Sequence, residues 1–133
     1  RKNSFSYWVE KTRTREQFYE ILARSKVGIS IGGGGYDTMR FWEILGNNCI
    51  LLAERIDIYD IGSTKLDYHR IWEFGNLYDF QVQLDNLGKY LRSSYDQEPL
   101  MHKYGQIVHD HSSVARVCEI LNVFLKRKHN DTW

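Results

Sequence analysis

The stretch from Val27 to Ala53 limits what this chain can fold into more than any other. Val27-Gly-Ile-Ser-Ile31 is an apolar, β-branched run. Four consecutive glycines follow, Gly32 to Gly35, and then Tyr36 to Leu45 with the apolar spacing of an amphipathic helix. Gly46-Asn47-Asn48 reads as a turn, and Cys49-Ile-Leu-Leu-Ala53 is a second apolar run. Neither run alternates, which is the pattern of strands buried on both faces. Such strands are parallel, and parallel neighbours need a crossover, usually a helix. The expected unit is strand, glycine loop, helix, strand, with the loop at the carboxyl end of one strand and the amino end of the helix. In open parallel sheets that corner is where ligands bind.

A helix amino terminus presents unpaired N–H groups and about half a positive charge, and phosphate is its natural guest. Glycines let the backbone approach such a guest and adopt positive φ without a steric cost. Asp37 or Thr38 can cap the helix. Arg40 follows Asp37 by three positions and Glu43 follows Arg40 by three, so all three project from roughly one side. Glu43 then stands at a distance that suits a ribose hydroxyl when phosphates sit at the helix start. Asp37 opposes this reading, because a carboxylate competes with an anion for the same N–H groups; Arg40 offsets its charge. The bland alternative is a flexible glycine loop followed by a solvated glutamate. The residues alone support a nucleotide- or phosphate-binding α/β domain.

The segment from Glu16 to Glu54 resembles the carboxyl-terminal, donor-binding half of GT-B glycosyltransferases (glycosyl transferase family 1-like), in the branch with CgeB-like and exostosin-like proteins. There, a helix ending near Ser-Lys leads to a short strand, a glycine-containing loop, a helix of the form Arg-x-x-Glu, a small-residue turn and a Leu-Leu strand. The matching positions are Arg24-Ser25-Lys26, Val27 to Ile31, Gly32 to Gly35, Arg40 to Glu43, Gly46-Asn47-Asn48 and Ile50-Leu51-Leu52. Weaker likenesses continue through Ile71-Trp72-Glu73-Phe74, Leu77-Tyr78-Asp79-Phe80, and His111 followed by Arg116, so that the resemblance covers about residues 16 to 125.

It implies an α/β fold, a Rossmann-like three-layer parallel sheet flanked by helices that forms one half of a GT-B fold. It also implies transfer of a sugar from a nucleotide-sugar donor. Glu43 would bind the donor ribose. Gly32, Gly33, Gly34, Gly35, Tyr36, Asp37, Thr38 and Arg40 would face the diphosphate and sugar. Many retaining members carry a second acid eight positions before that glutamate; here the position is Gly35, so a donor-sugar carboxylate is not carried over and the stereochemical outcome stays open. The resemblance implies no cofactor beyond the nucleotide-sugar substrate and no metal. It assigns the acceptor site and general base to an amino-terminal domain that is not in this chain. The isolated domain is then expected to bind nucleotide weakly and transfer nothing. The competing expectation is a degenerate, non-catalytic nucleotide-sugar-binding or interaction module.

The 133 residues suit one domain, assigned to 1–128 with a frayed tail at 129–133, and the first residue is Arg1 rather than methionine. With 42% apolar and 26% charged residues the composition is that of an ordinary globular domain. A net charge of +1 gives no field for nucleic acid or membrane. No apolar stretch spans a bilayer and none reads as a signal peptide. Cys49 and Cys118 lie in apolar contexts and read as buried, reduced thiols, from which a cytoplasmic location is inferred. The five histidines lack an H-x-x-x-H pair, and no Gly-x-Ser-x-Gly elbow or Gly-Lys-Ser/Thr loop is present, against a zinc site, a hydrolase elbow and a P-loop NTPase. A response-regulator-like or flavodoxin-like module would need acidic or hydroxyl clusters at strand ends.

Elsewhere the pattern predicts a strand at Phe5–Val9 and a helix opened by the capping box Thr14-x-x-Gln17, with Phe18, Ile21, Leu22 and Ser25 on one face. Residues 54–70 read as a long loop rimming the crevice, in which Glu54, Arg55 and Tyr59 can reach a ligand. A third strand is expected over 70–74. A helix capped by Asp79 follows, with Phe80, Leu84, Leu87 and Leu91 buried. Pro99 stands in the first turn of a helix burying Met101, Tyr104, Ile107 and Val108. The last helix is capped by Ser112 or Ser113, with a core stripe of Val114, Val117, Cys118, Leu121 and Phe124.

Overall fold

A computed structural model describes residues 14–33, 38–56 and 70–130; the expected strand at Phe5–Val9, residues 34–37 and most of the loop after Glu54 lie outside them. The elements run α1 (Arg15–Ala23), β1 (Val27–Ser30), α2 (Met39–Gly46), β2 (Ile50–Glu54), β3 (Ile71–Phe74), α3 (Leu77–Ser93), α4 (Gln97–His111) and α5 (Ser113–Asn130). The three strands form one parallel sheet in the order β1-β2-β3, with Val27 opposite Ile50 and Leu51 opposite Ile71. The fold is mixed α/β, a small parallel sheet flanked by helices, as the two apolar runs require.

Side chains along β2 alternate between two cores, since successive residues of a strand point to opposite faces. Cys49, Leu51 and Ala53 join Leu22 of α1, Phe41, Ile44 and Leu45 of α2, and Ile107 of α4. Ile50 and Leu52 join Phe74, Leu87 of α3 and Leu100 of α4. β2 is thus buried on both faces, with Cys49 to Ala53 all at 2% exposure or less. β1 departs from that expectation. Ile29 is 44% exposed, because β1 has a neighbour on one side only among the described residues, and α3 covers β3 rather than β1.

Gly28 marks the closest approach of strand and helix. A Cβ there would lie 2.6 Å from Ile44 Cγ1, 2.8 Å from Cγ2 and 2.9 Å from Cδ1. At the other end of α2, Asn48 holds φ 61°, a left-handed conformation that asparagine tolerates better than most residues. Its amide oxygen accepts from Arg70 Nη2 at 2.8 Å. Arg70 is fully buried. It also donates to the carbonyls of Cys49 (3.3 Å) and Leu100, and so ties the turn before β2 to α4. Among the described residues no carboxylate pairs with it and its Nε has no hydrogen-bond partner, and burial lowers its pKa.

Several helix details differ from expectation. Thr14 caps α1 as anticipated, its hydroxyl accepting from the Gln17 N–H at 3.2 Å. α3 begins earlier than expected: its cap is Asn76, whose side chain accepts from the Asp79 N–H, while Asp79 accepts from Gly75. Leu84 is 40% exposed, and Leu87 is the fully buried member of the α3 stripe. On α4 the buried pair is Leu100 and Ile107; Met101 and Val108 are 49% and 43% exposed.

The largest correction concerns α5. Ser112 caps it, accepting from the Ala115 N–H at 3.2 Å, but the stripe read as core faces outward. Val114, Val117, Leu121 and Phe124 are 73%, 55%, 53% and 57% exposed, and Cys118 is exposed rather than buried. Among the described elements α4 is the one that α5 packs against closely, and the less exposed Ala115 and Glu119 lie across the helix from that stripe. A 3.6-residue period identifies an apolar face but not whether the same domain covers it.

Candidate functional site

Parallel β1–α2–β2 connectivity brings the ends of β1, β2 and β3 to one edge, with α2 and α3 starting there. At that carboxyl edge Thr38 occupies the cap position of α2 in an extended conformation, yet its side chain makes no capping hydrogen bond. Its hydroxyl instead meets Ser30 Oγ at 3.0 Å, tying the end of β1 to the start of α2. The first amides of α2 are therefore not satisfied by Thr38, and a helix start in that state attracts negative charge. Gly32 and Gly33 are described; Gly34, Gly35, Tyr36 and Asp37 lie outside the described residues.

Arg40 and Glu43 are brought together, as their spacing requires, with Arg40 Nε 3.7 Å from Glu43 Oε2. The Arg40 guanidinium also lies over the Phe18 ring, 4.3 Å from its centroid. Glu43 Oε1 accepts from the Tyr19 hydroxyl at 2.9 Å, and the Glu43 side chain keeps 20% exposure. The sequence reading missed Tyr19. The one available signal was its place on α1 beside Phe18, on the side that turns toward α2.

Two further side chains complete the edge. Glu54, at the end of β2, accepts from the Gly32 N–H at 2.9 Å, so the rim position expected for it is occupied, but on the loop's own backbone. Its charge disfavours an anion on that amide. Arg55 extends 62% exposed toward the start of α3, 3.9 Å from Asp79 Oδ2. Tyr59 lies outside the described residues. The edge thus combines an α2 start not capped by Thr38, two guanidinium groups and three carboxylates (Glu43, Glu54 and Asp79) held by neighbours. That set can receive a phosphorylated ligand at the helix start and hydroxyls at Glu43.

The other candidates fall elsewhere. His111 and Arg116, the pair near the start of the last helix, are in contact at 2.7 Å, and both approach the Trp42 ring of α2. A cavity of about 230 Å³ opens between the end of α3 and the start of α4, lined by Tyr90, Ser94, Asp96, Pro99, Leu100 and Lys103. It shares no residue with the carboxyl edge. Among the described residues no group of three His, Cys, Asp or Glu side chains is arranged to hold a metal, and no helix is long and apolar enough to cross a membrane. The Cys49 thiol is pushed up to about 11 by burial, partly opposed by Arg70, and three carbonyls surround it.

No protein-family model, curated protein or solved structure matches this chain.

Proposed function

We propose that this chain is the donor-binding, Rossmann-like half of a GT-B glycosyltransferase, and that a nucleoside diphosphate-sugar binds along its carboxyl edge. The observation that carries this reading is the start of α2, which Thr38 leaves without a side-chain cap, with Glu43 on the same helix. The diphosphate would lie at the helix start and glycine loop, and the ribose hydroxyls at Glu43. As the anomeric C–O bond breaks, the departing diphosphate gains charge, which the helix start and a nearby guanidinium such as Arg40 stabilise. The acceptor and the group that takes its proton belong to a second domain.

A second reading is an interaction module that has lost catalysis. It is favoured by Glu54 on the Gly32 amide, where a diphosphate would otherwise approach, and by the apolar side chains that α5 turns outward. A thermal-shift comparison separates the two. UDP, GDP and ADP are added at millimolar concentration to the wild type and to Glu43→Ala. A rise in melting temperature with one nucleotide, absent in Glu43→Ala, is expected for the first reading. No rise with any of the three favours the second.

A further inference from the structure

We infer that Tyr19 is a positioning residue that holds the Glu43 carboxylate ready for the ribose of the nucleotide, an inference that rests on the nucleotide-binding reading above. Tyr19 comes from α1, and its hydroxyl reaches across to α2, donating to Glu43 Oε1 at 2.9 Å. On the other side of the carboxylate, Arg40 Nε stands 3.7 Å from Oε2. Behind the phenol, Arg15 Nη2 donates to the Tyr19 oxygen at 3.4 Å. The hydroxyl therefore accepts from a cation while donating to an anion, an arrangement in which each bond polarises the next.

A glutamate on an open helix surface moves among several rotamers. Glu43 is restrained from both sides, by a neighbouring helix and by its own. A carboxylate offers about four lone-pair sites. Tyr19 takes one and Arg40 turns toward another, which leaves acceptor capacity for the two adjacent hydroxyls of a ribose. With its side chain 20% exposed, Glu43 is reachable by a ligand yet partly shielded from water. Fixing the carboxylate before binding removes an ordering cost that the nucleotide would otherwise meet. Because the hydroxyl's partners among the described residues are the carboxylate and Arg15, its effect should fall on ribose recognition and not on the diphosphate.

The test is calorimetric titration of the wild type and Tyr19→Phe with UDP, GDP and ADP, each paired with its 2′,3′-dideoxy form. The phenylalanine ring keeps the packing of Tyr19 against Phe18, whose centroids lie 5.3 Å apart, so the unliganded melting temperature should move little. Loss of a hydrogen bond to a charged group predicts roughly a tenfold weaker ribonucleotide affinity. Affinity for the dideoxy form, which lacks both hydroxyls, should stay near wild type, so that the preference for ribose shrinks toward one. A wild-type preference preserved in Tyr19→Phe would overturn the positioning role and leave the nucleotide reading intact. Equal weakening of both forms would also overturn it, marking Tyr19 as a support of the fold. Absence of binding by the wild type overturns the nucleotide reading, and the role of Tyr19 with it.

Discussion

Gly28→Ala tests whether the sheet and the helix that carries Arg40 and Glu43 meet as closely as described. The added methyl would overlap three atoms of Ile44, the nearest at 2.6 Å, where ordinary contact begins near 3.4 Å. Ile44 is 1% exposed and belongs to the core under α2, so it has no open space to turn into. Overpacking of this kind costs about 1–3 kcal/mol. Reduced freedom of the unfolded chain returns about 0.4–1 kcal/mol, leaving a net loss of roughly 1–2 kcal/mol. The diagnostic is a double-mutant cycle. Ile44→Ala removes all three overlapping atoms and costs about 2–5 kcal/mol by itself. In that background Gly28→Ala should cost nothing or stabilise, since its methyl then fills part of the cavity. Urea unfolding of the four proteins, followed by circular dichroism, supplies the numbers. A single-mutant loss below about 0.5 kcal/mol, or the same loss in both backgrounds, would refute the close packing of β1 on α2.

Four other outcomes follow from the packing. Arg70→Ala strands the carbonyls of Cys49 and Leu100 that its guanidinium serves, and a lower urea midpoint corresponding to roughly 2–5 kcal/mol is expected; an unchanged midpoint would contradict the bridging role. Thiol labelling of the native protein near pH 8 should modify Cys118, which is exposed, and spare Cys49, with both reacting in denaturant. The raised Cys49 pKa adds a pH signature: its contribution is complete below the ordinary value near 9 and fades as pH climbs toward about 11. Urea midpoints across that window should accordingly fall less steeply in Cys49→Ala than in wild type. On α5, Leu121→Ser should shift stability by no more than about 0.5 kcal/mol, whereas Leu45→Ala in the core should cost about 2–5 kcal/mol; a comparable loss at Leu121 would mean that the outward face is covered.

How much of this was legible in the sequence depended on what each signal measures. The non-alternating runs at Val27 and Cys49 specified parallel strands, and Thr14-x-x-Gln17 located the start of α1, because both depend on local chemistry. The Arg40-to-Glu43 contact followed from helical spacing. Burial beyond one element did not follow: periodicity marked Val117, Leu121 and Phe124 as apolar, and only the packing of α5 on α4 shows that they face outward. An acid at a helix start suits a cap and points to Asp79, yet Asn76 three residues earlier has the extended backbone that a cap needs. The Tyr19–Glu43 bond joins two helices, and Arg70 lies buried where a charged residue is expected at the surface. Both depend on contacts distant in sequence, to which spacing within one element is blind.

The most direct measurement is a calorimetric titration of the chain with UDP, GDP and ADP beside Glu43→Ala under identical conditions. A nucleotide at ten times its dissociation constant fills about nine-tenths of the sites, so even weak binding should register. Saturable one-to-one heat with one nucleotide, largely lost in Glu43→Ala, is the expected result. Flat titrations with all three, or binding that Glu43→Ala leaves untouched, would contradict a nucleotide site at the carboxyl edge.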